Sequence, residues 1–223
     1  MKISEVMQLI RKAGLLVWVA AFTTHLSALT WERVSQEFTL EAGAGDLIAE
    51  FPFKNERAKA VTITETKASC GCTTPTVDSR VIPAGGKGVI KVTYAPGDRV
   101  GPQSSLVTIT TDEAGVAPAT LQMHIQIEPA IVLTPRLVLW TKADELVGRT
   151  ISIKRMSKAP VRVLEPKLNG DALTVDLKPG AEPDSWLLTL TPKAVETPFT
   201  TKVEIPVVVG ERTVTYSAFA VVR

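Results

Sequence analysis

The chain is poor in the side chains that do covalent chemistry. Its 223 residues include two histidines and two cysteines, and aromatics make up only 5%. His25 lies near the N-terminus, so His124 is the single imidazole of everything after it. One imidazole allows at most one histidine-based triad, and no Gly-x-Ser-x-Gly elbow accompanies it. No phosphate-binding glycine loop precedes a helix pattern. These absences argue against an enzyme. Charge of one sign is scarce as well. The formal net charge is +2, with no block of like charge. Nucleic-acid binding and polybasic membrane attachment therefore lack their electrostatic basis.

A hydrophobic run long enough to cross a bilayer is also lacking. What is present is shorter. Lys2, Arg11 and Lys12 precede the apolar run Ala13 to Phe22, and Leu26-Ser27-Ala28 ends on a small residue. This pattern predicts a signal peptide over 1–28, cleaved after Ala28, and export to the periplasm or the extracellular space. Cleavage removes three basic residues and one acid, which leaves a balanced chain with no membrane span.

Period-two alternation dominates the rest. It is seen in Val61-Thr62-Ile63-Thr64 and in Ile90-Lys91-Val92-Thr93-Tyr94. Leu121, Met123, Ile125 and Ile127 fall on one face of a strand, and Gln122, His124, Gln126 and Glu128 on the other. Pro83 to Gly88, Ala95 to Asp98 and Leu168 to Asp171 read as turns. Gly210-Glu211-Arg212 reads as a hairpin. No amphipathic helix is expected after the signal; Leu139 to Val147 has room for one turn. The fold class is all-β, with antiparallel sandwiches of the immunoglobulin-like kind. Proline cannot donate to a ladder, so Glu128-Pro129-Ala130 is the expected boundary between a sandwich over 29–129 and another over 130–223. Each side is about a hundred residues, room for seven or so short strands.

Five stretches in order carry a resemblance. They are Phe51-Pro52-Phe53-Lys54-Asn55, Val61-Thr62-Ile63, Ser69-Cys70-Gly71-Cys72-Thr73, the turn from Ile82-Pro83 to Gly88, and Gly88 to Tyr94 followed by Gly101 and Val107-Thr108-Ile109-Thr110. Over about 38–128 the chain resembles the bacterial immunoglobulin-like family known as domain of unknown function 1573, related to the Hydin and ASPM–SPD-2 modules. Ala84 between Pro83 and Gly85, and Thr111 before Asp112, depart from its pattern. Pro135 to Trp140 is similar to the start of a second sandwich that follows such domains. The resemblance implies a fold. It implies no activity, because the family has none assigned.

Cys70 and Cys72, with Ser69, Gly71 and Thr73 as the supporting loop, are the candidate site. Two thiols this close share a local fate: a disulfide, a redox couple or a metal clip. A disulfide needs its Cβ atoms about 3.5–4.5 Å apart, so the chain must turn at Gly71, where glycine is able to take a positive φ. Closing three residues removes little chain entropy, worth roughly 1.5 kcal/mol, so the bridge is a weak staple. A short-loop disulfide is expected to be easily reduced. Against a redox role, Lys67 is the only basic residue near in sequence to activate a thiolate. A structural zinc needs four ligands, more than two cysteines and His124 supply. Copper held by Cys70 and Cys72 is the metal alternative.

The remaining candidates have ordinary readings. Asp112-Glu113, Asp144-Glu145 and Glu182 with Asp184 are acid pairs in expected turns, weak calcium sites at most and otherwise solvated charge. Trp140, Trp186 and Phe199 are expected in the core rather than on a ligand face, and His124 on an exposed strand face. The sequence thus points to an exported, non-catalytic binding or scaffolding protein without a cofactor. Its partner is an unknown protein, met through the Ser69–Asp78 loop. The alternative is a thiol–disulfide or copper-handling protein.

Overall fold

The computed structural model describes residues 28–223; the signal peptide expected over 1–28 lies outside them except for Ala28. The described residues form strands and no helix. The first nine strands are β1 (Thr30–Trp31), β2 (Ser35–Glu41), β3 (Leu47–Lys54), β4 (Val61–Ala68), β5 (Thr73–Val77), β6 (Val81–Ile82), β7 (Lys87–Tyr94), β8 (Gly101–Thr111) and β9 (Ala119–Glu128). They make two sheets, ordered β1-β3-β7-β5 and β2-β9-β8-β4-β6. Alternation explains the core. Leu121, Met123, Ile125 and Ile127 are all at most 2% exposed, and His124 on the opposite face is exposed. Val61, Ile63, Ile90, Val92 and Ile109 are buried with them. In β4 the alternation breaks. A register slip between Ile63 and Glu65 exposes Thr64 and Glu65 in succession and turns Thr66 and Ala68 inward. Phe53 closes one end of this core. Its ring is tilted against Trp31, with centroids 5.1 Å apart, and lies over Gly88, where a Cβ would run into it.

The second nine strands are β10 (Ile131–Thr134), β11 (Leu137–Trp140), β12 (Arg149–Arg155), β13 (Val161–Val163), β14 (Lys167–Leu168), β15 (Leu173–Pro179), β16 (Ser185–Pro192), β17 (Phe199–Val209) and β18 (Arg212–Val222). Their sheets are ordered β10-β12-β16-β15 and β11-β18-β17-β13, with β14 also on β17. Two differences from the expectation appear. There are nine strands per half rather than seven: the first strand of each half is split between sheets, and a further short strand is added by β6 on β4 in the first half and by the division into β13 and β14 on β17 in the second. The Leu139–Val147 segment holds no helical turn; the chain reverses instead at Thr141, whose N–H and hydroxyl both donate to Asp144. The expected hairpin is present, with Gly210-Glu211 between β17 and β18 and Arg212 already in the strand.

The two halves follow the same path. The first strand begins antiparallel to the second long strand (β1 on β3; β10 on β12). It then changes sheet and runs parallel to the last strand (β2 on β9; β11 on β18). In the second half the change falls at the cis Thr134–Pro135 bond. Pro206 sits buried in β17, a central strand, which its missing N–H should forbid. It is placed opposite the gap between β13 and β14, where Leu164 donates its N–H to the Pro206 carbonyl.

Buried apolar residues form two clusters. One is drawn from residues 28–127; the other is drawn from 130–222 together with Ala42. Val100 packs on the second cluster from the first half. The Tyr216 hydroxyl accepts a 2.7 Å bond from the Ala130 N–H immediately after Pro129. Burial raises the Tyr216 pKa, and the bonds from the Ala130 and Ile131 backbone oppose that rise.

Candidate functional site

Cys70 and Cys72 occupy the corner where the chain leaves one sheet (β4) for the other (β5). They are joined by a disulfide, with Cα atoms 5.3 Å apart. Gly71 at the apex is exposed, and a Cβ there would meet nothing within 4 Å. It does not take a positive φ, contrary to the expectation. The reversal is instead distributed over the corner and pinned by backbone bonds. Thr73 donates its N–H to the Cys70 carbonyl (3.3 Å), and Ala95 donates to that of Cys72 (2.9 Å). Ser69 is held on β8 from both sides. Its N–H donates to the Leu106 carbonyl, and its hydroxyl accepts the Leu106 N–H at 3.1 Å.

Thr73 is the inner member of the corner. It is 5% exposed, and its hydroxyl lies 3.4 Å from the Cys70 sulfur, 3.9 Å from the Cys72 sulfur and 2.6 Å from the Ser105 hydroxyl. Ser105 is 1% exposed on β8, so the Thr73–Ser105 bond crosses the sandwich from sheet to sheet. Disulfide sulfurs carry no proton, so any bond from Thr73 to sulfur uses the threonine O–H. The Ser105 hydroxyl then donates to Thr73. The sequence reading missed Ser105. Its signal was there: counting back by two from Ile109 and Val107 reaches Ser105, a hydroxyl in line with core positions. Cys72 packs against the first core, whereas Cys70 does not join it, though both are half-buried.

The Ser69–Asp78 segment is not a loop beyond this corner. Residues Thr73–Val77 are β5, an edge strand on β7. Its outer ladder is blunted, since the Thr73 N–H is already used and Pro75 has none. The second stretch with a structural task is Asn55. It is fully buried, and its side-chain amide donates to the carbonyls of Lys59, Ile82 and Pro83 while its oxygen accepts the Arg57 N–H. One amide thus ties the β3–β4 connection to the β6–β7 turn.

Of the acid pairs only Glu113 has a buried side chain; Asp112, Glu182 and Asp184 are exposed, as expected, but each has a partner. Asp112 accepts the Thr62 N–H at 2.9 Å, and the bonds from Thr62 lower its pKa. The Glu113 side chain is 7% exposed and lies 3.0 Å from Arg57 and 3.1 Å from Lys59. Asp144 receives Thr141 and Arg149. Glu182 pairs with Lys154, and Asp184 with Arg155. Among the described residues no three His, Cys, Asp or Glu side chains cluster as metal ligands. Trp140 is buried, with its N–H on the Val147 carbonyl; Trp186 and Phe199 pack on the second core.

One surface feature was not anticipated. Leu137 and Phe219 are register partners on β11 and β18, and they are 52% and 41% exposed. Leu139 and Val221, two residues on, are half-buried on the same outer face.

Residues 29–127 match the family described as "Protein of unknown function (DUF1573)". This segment belongs to that family. The disulfide corner, the buried Asn55 and the Gly88 contact with Phe53 all lie inside the DUF1573 segment. No curated protein matches the chain. Among solved structures, the Vibrio cholerae VesB protease is similar at 20% identity and TM-score 0.32, over 47% of this chain and 33% of that one. The chain therefore spans about a third of that protease. The YadV chaperone is similar at 8% identity and TM-score 0.35, over 86% and 99%. The ASH / PapD-like domain 7 of human CEP192 is similar at 14% identity and TM-score 0.37, over 48% and 89%. No helix of the described residues is long and apolar enough to cross a membrane.

Proposed function

We propose that this protein is an exported, non-catalytic module that binds or scaffolds another protein. The observation that supports it is the outer face of β11 and β18. An aromatic and a leucine stand side by side in solvent at Phe219 and Leu137, flanked by Leu139 and Val221. Lys202, the β17 partner of Phe219, is ion-paired with Glu204 beside it. An apolar centre with a charged margin is the usual composition of a protein contact. β11 is also an edge strand, with its second ladder open.

A photo-crosslinking amino acid at position 219, in cells that export the protein, tests the reading. Position 178, exposed on β15 in the opposite sheet, serves as the control. A discrete adduct from 219 that is absent from 178 is expected, together with its loss in a Leu137→Ser variant. No adduct, or the same adducts from both positions, sinks the reading.

A further inference from the structure

We propose that the Cys70–Cys72 disulfide is a thiol-exchange site, that Cys70 is the sulfur attacked, and that the Thr73 hydroxyl supports the sulfur that leaves.

Three observations carry this. The first is that the fold does not need the bridge. The second half makes the same crossing between sheets, from β14 to β15, through Asn169-Gly170-Asp171-Ala172 without cysteine. Leu173 opens β15 as Thr73 opens β5. Thr201, two residues before the β17 partner of Leu168, stands where Ser105 stands relative to the β8 partner of Ala68. The equivalent positions are thus held by leucine and threonine, without sulfur.

The second observation is the hydroxyl pair. The Thr73 hydroxyl lies between the sulfurs, 3.4 Å from Cys70 and 3.9 Å from Cys72, and Ser105 behind it supplies a proton that frees the threonine O–H, which turns to Cys72 as that sulfur takes on charge. An O–H donor aimed at a sulfur stabilises that sulfur as a thiolate, and a better-stabilised thiolate is a better leaving group.

The third observation is asymmetry of access. Displacement at sulfur proceeds in line with the S–S bond. Cys72 lies against the first core, so approach to it from the far side is obstructed, whereas Cys70 is outside that cluster.

The exchange balances as follows. A thiolate of a partner dithiol attacks the Cys70 sulfur and forms a mixed disulfide there. The Cys70–Cys72 bond breaks, and its electron pair stays on Cys72, which takes the Thr73 O–H bond and then a proton from water. The partner's second thiolate attacks the partner's own sulfur in the mixed disulfide and expels Cys70 as a thiolate, which takes a proton from water. The partner is oxidised by two electrons to a disulfide, and the pair is reduced to two thiols.

Dithiothreitol and reduced glutathione are the probes, on the folded oxidised full chain. Glutathione adducts, quenched by acid and alkylated, should map by mass spectrometry to Cys70, with Cys72 alkylated. Thr73→Val should slow reduction by dithiothreitol about tenfold, the rate equivalent of one hydrogen bond. Thr73→Ser, which keeps the hydroxyl, should restore the rate. Adducts on Cys72, equal rates in wild type and Thr73→Val, or failure of Thr73→Ser to recover would each overturn the assignment. The adduct map needs no variant, so a poorly folding Thr73→Val does not protect the idea.

Discussion

The two halves of this protein trace one strand path and close it by different means. Both split their first strand between sheets, and both cross from sheet to sheet after the strand that pairs with the eighth of the nine. The first half locks these junctions with polar devices: the Asn55 amide, the Thr73–Ser105 pair, the disulfide and the Asp112–Thr62 bond. In the second half the corresponding corner positions are Leu173 and Thr201, and Asp144 on Thr141 and Arg149 holds the 141–148 connection. The last hairpin of that half is a two-residue turn at Gly210-Glu211, where the first half spends residues 112–118. The contrast teaches that topology is set by the alternation of apolar residues, which both halves share. The junction chemistry is a separate layer, free to differ and therefore available for function.

The sharpest way to break this comparison is to remove a polar device that only the first half has. Asn55→Ala deletes four hydrogen bonds at a fully buried site. A loss of about 3–5 kcal/mol in urea unfolding is expected. A loss under 1 kcal/mol would show that backbone bonding alone holds those connections. Next, Ile63→Ala in the shared alternating core should cost about 2–5 kcal/mol. Cys70→Ser with Cys72→Ser should cost less than Ile63→Ala, because a three-residue loop contributes only roughly 1.5 kcal/mol. If the double variant lost more, the bridge would be a structural staple and the two corners would not be equivalent.

Tyr216→Phe probes the seam between the halves. It strands the buried Ala130 N–H and should cost about 1–3 kcal/mol. Its largest effect should be faster hydrogen exchange around 128–131.

The smallest effect is expected from Asp112, which the second half does not match. Its pKa is lowered in the folded state, so the stability it contributes is present above the unfolded value near pH 4 and is lost as pH falls through the folded value. The stability gap between wild type and Asp112→Ala should therefore be full at pH 7 and close below about pH 4. A gap that stayed constant with pH would mean the carboxylate charge is irrelevant to the Thr62 contact.

Much of this was legible in the residues. The inward faces of β9 and β7 follow from strict alternation, and the turns at Pro83, Gly97 and Gly170 follow from glycine and proline. The disulfide corner was legible as a place, through Cys70-Gly71-Cys72. Its mechanism was misread at Gly71, because a positive φ is one way to reverse a chain and bonds to Ala95 and Leu106 are another. Glu113 was read as loop charge. Its burial depends on Arg57 and Lys59, more than fifty residues earlier in the chain, which no local pattern reports.

By itself, the sequence determined the strands, their inward faces and the turn positions, because alternation and turn propensity are local properties of the chain. It also placed two cysteines where the chain must turn. Only the tertiary structure decided that Ser105 stands behind Thr73, that Cys72 rather than Cys70 meets the core, and that Leu137 and Phe219 share an exposed face. Each of these joins strands far apart in the chain. Such pairings are set by sheet register and by packing of sheet on sheet, which are properties of the folded whole.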